Sequence, residues 1–582
     1  MSLHTLNDIF FAVAGRDQPQ VMLRKTARGW EPISSFEFAA QVAGVARALQ
    51  SYGIHCGDRV AILSENRHEW VVADFACLMR GAIVVPIYTT LTSVQTAYLL
   101  RDSGAQAIFV SSQKHLEKVA AILDTTAVKK IVIMDDVVDA RASRMADLMQ
   151  LPGGPQFSSI GRSIQPDDLA TIIYTSGTTG VPKGVMLTHG NMAANINSFL
   201  TGLGFDLGQV CVSFLPLSHV TARCVDLGLL YSGVTLAHLS QLDQLSQALL
   251  EVRPQIFLSV PRVYEKVYAQ VAMHAAKFPA KQIYRWALRV GRAHRAEILA
   301  GITPRSLRWR LADLLVYSKI RAGMGGRVKT YLSGGAPLGL PLAEWFADVG
   351  IRICEGYGLT ETSPVIAANN PSAHRIGSVG KPLANLQVRI AEDGEILVRG
   401  PSVFQGYWNK PEETQAAFVD GWFRTGDIGR LDSDGFLYVT DRKKDLLKTS
   451  GGKFIAPQPI EGALKHNPMI AEAVVIGDKR NFPAVLILPN FAGLEPWARE
   501  HGVAFSSREE LIADARVQAY YAEIVEELNQ TLAQFEKLKK VALLAEEFSA
   551  ADGTMTASLK IRRRAVEERC REQIVKMYGA SD

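Results

Sequence analysis

Short β-favouring runs alternating with helical periods predict an α/β protein, and a length of 582 residues predicts more than one domain. Apolar runs at residues 59–63, 82–87, 107–110 and 130–134 are each separated from the next by a helical pattern, as expected for a largely parallel sheet layered with helices. From about residue 387 the texture changes to short strands and tight turns, with Asp393-Gly394 before 395–398 and Asp434-Gly435 before 436–439. After residue 441 an α+β tail follows, ending in the charged stretch 509–540 and a basic carboxyl terminus. A boundary at 440–446 is expected, dividing the chain into residues 1–443 and 444–582.

Taken in order, the amino-terminal twenty residues lack the basic start and long apolar core of a secretory signal. Residues 34–50 open with Ser34 and Ser35, good helix caps, and set Phe38, Val42, Val45 and Leu49 on one helical stripe. Gly53 and Gly57-Asp58 turn the chain into the first strand run. The apolar stretch 71–98 is interrupted by Asp74, Arg80 and Pro86, so buried helix and strand are expected there and not a membrane span. The segment 266–329 is rich in Arg and Lys, with Glu297 and Asp313 as its only acids, and interleaves Ile283, Trp286, Leu288 and Leu311. It reads either as surface helices with a basic polar face, or as a patch drawn to anionic lipid headgroups or to the phosphates of coenzyme A.

Composition narrows the class. With 48% apolar and 21% charged residues the chain is globular, not disordered. A net charge of +5 is small for this length and gives no reason to expect a nucleic-acid partner. Cys56, Cys77, Cys211, Cys224, Cys354 and Cys570 form no CxxC pair, and their scatter fits reduced thiols in a cytoplasmic protein.

The most informative run is Thr175-Ser176-Gly177-Thr178-Thr179-Gly180-Val181-Pro182-Lys183-Gly184, which follows the β-favouring Thr171-Ile172-Ile173-Tyr174. Its glycines let the backbone approach an anion, four hydroxyls and free N–H groups supply donors, and Lys183 supplies charge. The spacing is not that of a Walker A loop. Downstream, Gly334, Gly335 and Ala336 form a small-residue turn that lets a flat purine come close to the backbone. In Glu355-Gly356-Tyr357-Gly358-Leu359-Thr360-Glu361-Thr362, Tyr357 offers an aromatic face, Thr360 a hydroxyl for phosphate and Glu361 a hard carboxylate for a magnesium ion.

These motifs resemble, over nearly the entire chain, the adenylate-forming (AMP-binding) superfamily of acyl-CoA synthetases, luciferases and adenylation domains. The resemblance implies a large amino-terminal domain of layered sheets and helices with a small mobile carboxyl-terminal domain. It implies that Thr175, Ser176, Gly177, Thr178, Thr179 and Lys183 hold the β- and γ-phosphates of ATP. Gly334, Gly335, Ala336, Glu355, Gly356 and Tyr357 would line the adenine, and Thr360 would touch the α-phosphate. Glu361 would bind Mg2+ together with Thr178. Asp427, in Trp422-Phe423-Arg424-Thr425-Gly426-Asp427, is implied to take the ribose hydroxyls, and Arg442 ribose or phosphate, with Lys444 as the hinge. His219, in Pro216-Leu217-Ser218-His219, would position the substrate carboxylate as a gate and not as a base. Lys560, in Thr556-Ala557-Ser558-Leu559-Lys560-Ile561-Arg562-Arg563, matches the catalytic lysine, and Gly451-Gly452 the face presented to coenzyme A in the second step.

Within the superfamily, residues 213–219, 260–266 and 448–461 resemble the long-chain fatty acid–CoA ligase group. That implies activation of a medium- to long-chain fatty acid with ATP, Mg2+ and coenzyme A, by a cytoplasmic enzyme with possible peripheral contact with an anionic membrane. Two alternatives stand beside it: loading of an acyl-carrier protein, and a catalytically silent binding homologue.

Overall fold

The computed structural model describes residues 2–176, 181–275, 279–450, 453–549, 552–555 and 561–579. Two large mixed sheets form the bulk of the α/β architecture. The first has eight strands, in the order Gly406–Tyr407, Pro182–Thr188, Leu169–Ser176, Ile83–Ile87, Arg59–Leu63, Ala107–Val110, Lys130–Ile133 and Ser143–Arg144. Its middle pairings are parallel, and the strands are buried on both faces, which is why they read as unbroken apolar runs. The second has nine strands, and its parallel centre joins Thr235–His238, Val210–Ser213, Ile256–Ser259, Thr330–Ser333 and Ile353–Gly358.

Local chemistry sets the elements between them. The helix Ser35–Ser51 starts where Ser34 accepts a hydrogen bond from the Glu37 N–H, and it buries the predicted stripe of Phe38, Val42, Val45 and Leu49. The apolar stretch near residue 71 is the helix His68–Met79 followed by the strand Ile83–Ile87, both enclosed in the core. No helix among the described residues is long and apolar enough to cross a membrane. Two core helices, His68–Met79 and Val220–Tyr231, are tied by a bidentate ion pair in which Arg223 donates to Asp74 at 2.9 and 2.5 Å. Both side chains are almost completely enclosed, so each charge depends on the other. On the same helix Asp226 is buried, accepts a hydrogen bond from Ser213 at 2.5 Å, and has its carboxyl pKa pushed up to about 7 by desolvation.

A third sheet is antiparallel and holds Gln387–Ile390, Glu395–Arg399, Trp422–Leu431, Phe418–Val419 and Leu437–Arg442. Beyond it, a separate hydrophobic cluster is formed wholly by residues 447 to 577, around the sheet Ile470–Ile476, Ala484–Pro489 and Val541–Leu543. This smaller α+β unit meets the larger one through ion pairs: Lys465 lies 3.9 Å from Glu265, and Arg262 lies 3.4 Å from Glu472.

Candidate active site

The strands Leu169–Ser176 and Pro182–Thr188 pair antiparallel, with Thr175 opposite Lys183 and Ser176 opposite Pro182. Gly177, Thr178 and Thr179, between these paired strands in sequence, lie outside the described residues. Lys183 lies near the end of its strand that opens from the turn, its ammonium 5.2 Å from the centre of the Tyr407 ring. The Tyr407 hydroxyl donates to Glu361 Oε1 at 2.9 Å, so a cation, an aromatic ring and a carboxylate stand in line. Burial raises the pKa of Glu361, while the Tyr407 hydrogen bond and the Arg442 charge act in the opposite direction. Tyr407 was not among the predicted residues. It comes from the two-residue strand Gly406–Tyr407, which pairs with the lysine-bearing strand through Val185.

The second wall is made by strand ends. Thr330–Ser333 and Ile353–Gly358 run parallel with Ser333 beside Glu355, and both finish at the same edge. The chain then turns through Gly334 and Gly335, the latter at φ +83°. A Cβ on Gly334 would find nothing nearer than the Gly356 carbonyl oxygen at 3.6 Å, and one on Gly356 nothing nearer than 3.8 Å. Protein packing does not require glycine at either position. By contrast a Cβ on Gly358 would sit 1.7 Å from the Pro364 carbonyl oxygen, so that glycine is demanded by the fold. Open space over Gly334, Gly335 and Gly356 is what a flat ligand seated on the backbone needs. Glu355, expected beside the adenine, also braces the turn. Its buried carboxyl accepts the Leu338 N–H at 3.2 Å, bracing the end of the turn, and its pKa is pushed up to about 7 by desolvation.

Tyr357 closes the wall. Its hydroxyl donates to Asp427 Oδ2 at 2.7 Å, while Arg442 Nε lies 3.1 Å from Asp427 Oδ1. Asp427 and Arg442 face each other because the hairpin between them carries a bulge. Leu431, Arg430 and Gly429 pair with Leu437, Tyr438 and Val439; Thr440 is then skipped, and Ile428 and Asp427 meet Asp441 and Arg442. Gly429 is obligatory at this bulge, since a Cβ would come within 2.4 Å of the Tyr438 carbonyl oxygen. Underneath, the Glu395 carboxylate accepts from Arg424 at 3.0 Å, from Lys443 at 2.8 Å and from the Gly426 N–H at 3.1 Å. It holds the Gly426-Asp427 turn and pins Lys443 to the antiparallel sheet. The next residue, Lys444, has its pKa lowered by desolvation and by the nearby charges of Lys183 and Arg442.

Lys183, Arg442 and Lys444 thus converge on a region where Glu361 and Asp427 are the facing carboxylates, a local excess of positive charge suited to a polyanion. Glu361 also suits magnesium. Among the described residues no cluster of three or more His, Cys, Asp or Glu could hold a metal by itself, and magnesium is characteristically held by one or two carboxylates together with substrate phosphates. Thr360 lies beside Glu361 in the short turn Thr360–Thr362. His219 serves locally as the N-cap of the helix Val220–Tyr231, its Nδ1 accepting the Thr221 N–H at 3.1 Å. Lys560, Gly451 and Gly452 lie outside the described residues.

Comparison with known proteins supplies the family. A family model described as AMP-binding enzyme matches residues 12–408, and one described as AMP-binding enzyme C-terminal domain matches residues 444–582. The long-chain-fatty-acid–CoA ligase FadD15 of Mycobacterium bovis is 36% identical over 572 residues, covering 97% of this chain and 95% of the relative. The peroxisomal long chain acyl-CoA synthetase 7 of Arabidopsis thaliana is 32% identical, covering 93% of this chain and 81% of the relative. Among solved structures, the anthranilate CoA ligase AuaEII in complex with anthranoyl-AMP superimposes with a TM-score of 0.75 at 20% identity, covering 99% of both chains. The Bacillus subtilis O-succinylbenzoate coenzyme A synthetase MenE, in complex with ATP and magnesium ion, gives a TM-score of 0.67 at 24% identity, covering 96% of this chain and 98% of its own.

Proposed function

The chain belongs to the AMP-binding enzyme family, and from that premise we propose how its residues carry out fatty acid activation. It is a fatty acid–CoA ligase: it activates the acid with ATP as acyl-AMP, releasing pyrophosphate, and passes the acyl group to coenzyme A, releasing AMP. The observation that carries the residue assignments is the convergence of Lys183, Arg442 and Lys444 on the two carboxylates Glu361 and Asp427.

In the first step a carboxylate oxygen of the fatty acid attacks the α-phosphorus, and the bond to pyrophosphate breaks. Two anions meet, so catalysis depends on cations placed where negative charge grows. Lys183 and the hairpin turn with Thr175 and Ser176 hold the outer phosphates, and Thr360 touches the α-phosphate. Tyr357 and the open backbone over Gly334, Gly335 and Gly356 receive the adenine, while Asp427 accepts from the ribose hydroxyls and Arg442 braces Asp427. Glu361 would hold magnesium, which when bound would supply positive charge against the negative charge of the phosphates. Lys560 supplies a further cation at the reacting carboxylate. His219, at the N-cap of the helix Val220–Tyr231, positions the substrate carboxylate as a gate and not as a base.

In the second step the thiolate of coenzyme A attacks the acyl carbon and AMP leaves, a different charge distribution that calls for different donors. The unit from residue 444 onward turns about Lys444, withdrawing Lys560 and presenting Gly451-Gly452. A hydrophobic cluster confined to residues 447–577 supports motion of that unit as one body. The acids are of medium to long chain, and the basic stretch 266–329 meets an anionic membrane in which such acids dissolve.

Carboxylate-dependent AMP release, followed over acids of two to twenty carbons with coenzyme A present or withheld, tests this reading. The expected result is AMP release that rises with chain length and yields the CoA thioester. Thioester formed on an acyl-carrier protein but not on coenzyme A would overturn it.

A further inference from the structure

The following inference rests on reading the basic stretch as lipid-facing, and it deepens that reading by naming the inserting groups. Residues 279–329 contain twelve Lys and Arg against Glu297 and Asp313, a surplus larger than the +5 of the entire chain. Part of this charge is matched within the protein: Arg292 and Arg295 lie on Asp348, Arg295 also on Glu344, and Arg321 on Asp313. Arg305, Arg308, Arg310 and Lys319 are exposed and enter no ion pair among the described residues.

Arg305 precedes, and the other three cations lie within, a helical run that is apolar on two sides. It consists of Leu307–Ala312, a π turn over Asp313–Tyr317, and Ser318–Gly323, opened by Ser306, whose hydroxyl accepts the Trp309 N–H at 3.1 Å. One side, with Trp309, Ala312, Tyr317 and Ile320, is buried in the core around the nine-stranded sheet. The other carries Leu307, Leu311, Leu314 and Leu315, exposed by 81, 49, 69 and 36%. Steps of three and four residues place these leucines along one line of the helix. The inward side packs on the core, and the outer row leaves much of its apolar surface to solvent.

We propose that this outer leucine row inserts into the interfacial layer of an anionic bilayer, with Arg305, Arg308, Arg310 and Lys319 on the lipid phosphates. Apolar side chains ringed by unmatched cations need a partner that is apolar beneath and anionic above, which is the layering of a bilayer surface. A second copy of the same face would set the cations of one chain against those of the other, at an electrostatic cost. Docked in this way, the protein rests on the phase into which a long-chain acid partitions.

The test measures binding of the full chain to vesicles of phosphatidylcholine alone and of phosphatidylcholine mixed with phosphatidylglycerol, at low and high salt. Two triple variants are compared, Leu307→Ser/Leu311→Ser/Leu314→Ser and Arg305→Gln/Arg308→Gln/Arg310→Gln. All six positions are exposed, and AMP release from a water-soluble short acid controls for folding. The wild type is expected to bind the anionic vesicles, the leucine variant to bind them on the order of 100-fold more weakly, and the residual binding of that variant to vanish at high salt. Loss of binding in the arginine variant with the leucine variant unchanged would overturn insertion while leaving a charge-only membrane contact. Absence of wild-type binding to either vesicle would overturn both insertion and the membrane reading. Concentration-dependent self-association that only the leucine variant abolishes, without vesicle binding, would assign the row to a second copy and overturn the proposal.

Discussion

Replacing Asp427 by Asn separates its part in nucleotide binding from its part in folding. Asp427 is only 3% exposed, accepts from the Tyr357 hydroxyl and pairs with Arg442, whose side chain is 52% exposed. Asn keeps one acceptor for the Tyr357 hydroxyl, and the half-exposed guanidinium remains solvated, so the lost pair costs about 0–1 kcal/mol of stability. A shift in Tm of no more than about 2–4 °C follows. Towards the ribose, charge-assisted hydrogen bonds become at best one neutral bond, a loss of about 1.5–3 kcal/mol. That converts to a fall of about 10- to 150-fold in kcat/KM for ATP. Fatty-acid-dependent ATP–pyrophosphate exchange at varied ATP measures it. Repeating the titration with 2′-deoxy-ATP adds a second constraint, because removing the hydroxyl should weaken the wild type and barely affect the variant. A variant whose ATP dependence stays within about twofold of wild type, or one that loses 2′-deoxy-ATP as strongly as wild type does, would refute the ribose assignment.

Three further outcomes are expected. Lys560→Ala should lose ATP-dependent activation by on the order of 100-fold while still converting synthetic acyl-adenylate and coenzyme A to thioester, whereas Lys444→Pro should show the reverse; equal damage to both half-reactions in Lys560→Ala refutes domain alternation. Asp226 has its pKa raised to about 7, so the folded state holds a proton that the unfolded chain releases, and this contribution is full below about pH 4 and is lost as pH rises through about 7. Asp226→Asn should therefore flatten the pH dependence of stability in that window and be the more stable protein above it, as urea midpoints at pH 5 and 8 will show; a parallel decline in both proteins contradicts the assignment. Asp74→Asn leaves Arg223 buried without its counter-charge and should cost about 3–5 kcal/mol in urea unfolding, with a loss under about 1 kcal/mol counting against the pair as a folding constraint.

What the sequence made legible was local. Ser34 ahead of an apolar stripe located a helix to within a residue, because capping and periodicity are both written in neighbouring positions. The four apolar runs became parallel strands for the same reason. Much of the site was legible only through resemblance, since a lone Tyr357 or Glu361 has no periodic signal. Tyr407 escaped altogether. It meets Glu361 across 46 residues of chain from a strand of two residues, and neither sheet pairing over that distance nor so short a strand leaves a local pattern. Glu355 sits inside a recognised motif, yet the structure uses its carboxyl to brace the turn, a distinction that depends on where the Leu338 N–H points. The glycines show the same limit: Gly356 and Gly358 look alike in sequence, and only the Pro364 carbonyl reveals which one the fold demands.

The skipped Thr440 makes the register at the base of one hairpin depend on a bulge. Continued without the bulge, the pairing of Gly429 with Val439 would place Asp427 opposite Asp441, setting two carboxylates against each other where a carboxylate now meets a guanidinium. Additions at the exposed tip near Asp434 leave the base of the hairpin in place, whereas closing the bulge with Thr440 retained exchanges an attraction for a repulsion at the proposed ribose contact. A chain lacking Thr440 would still set Asp427 against Arg442 by regular pairing, whereas one that keeps its length depends on the bulge to do so.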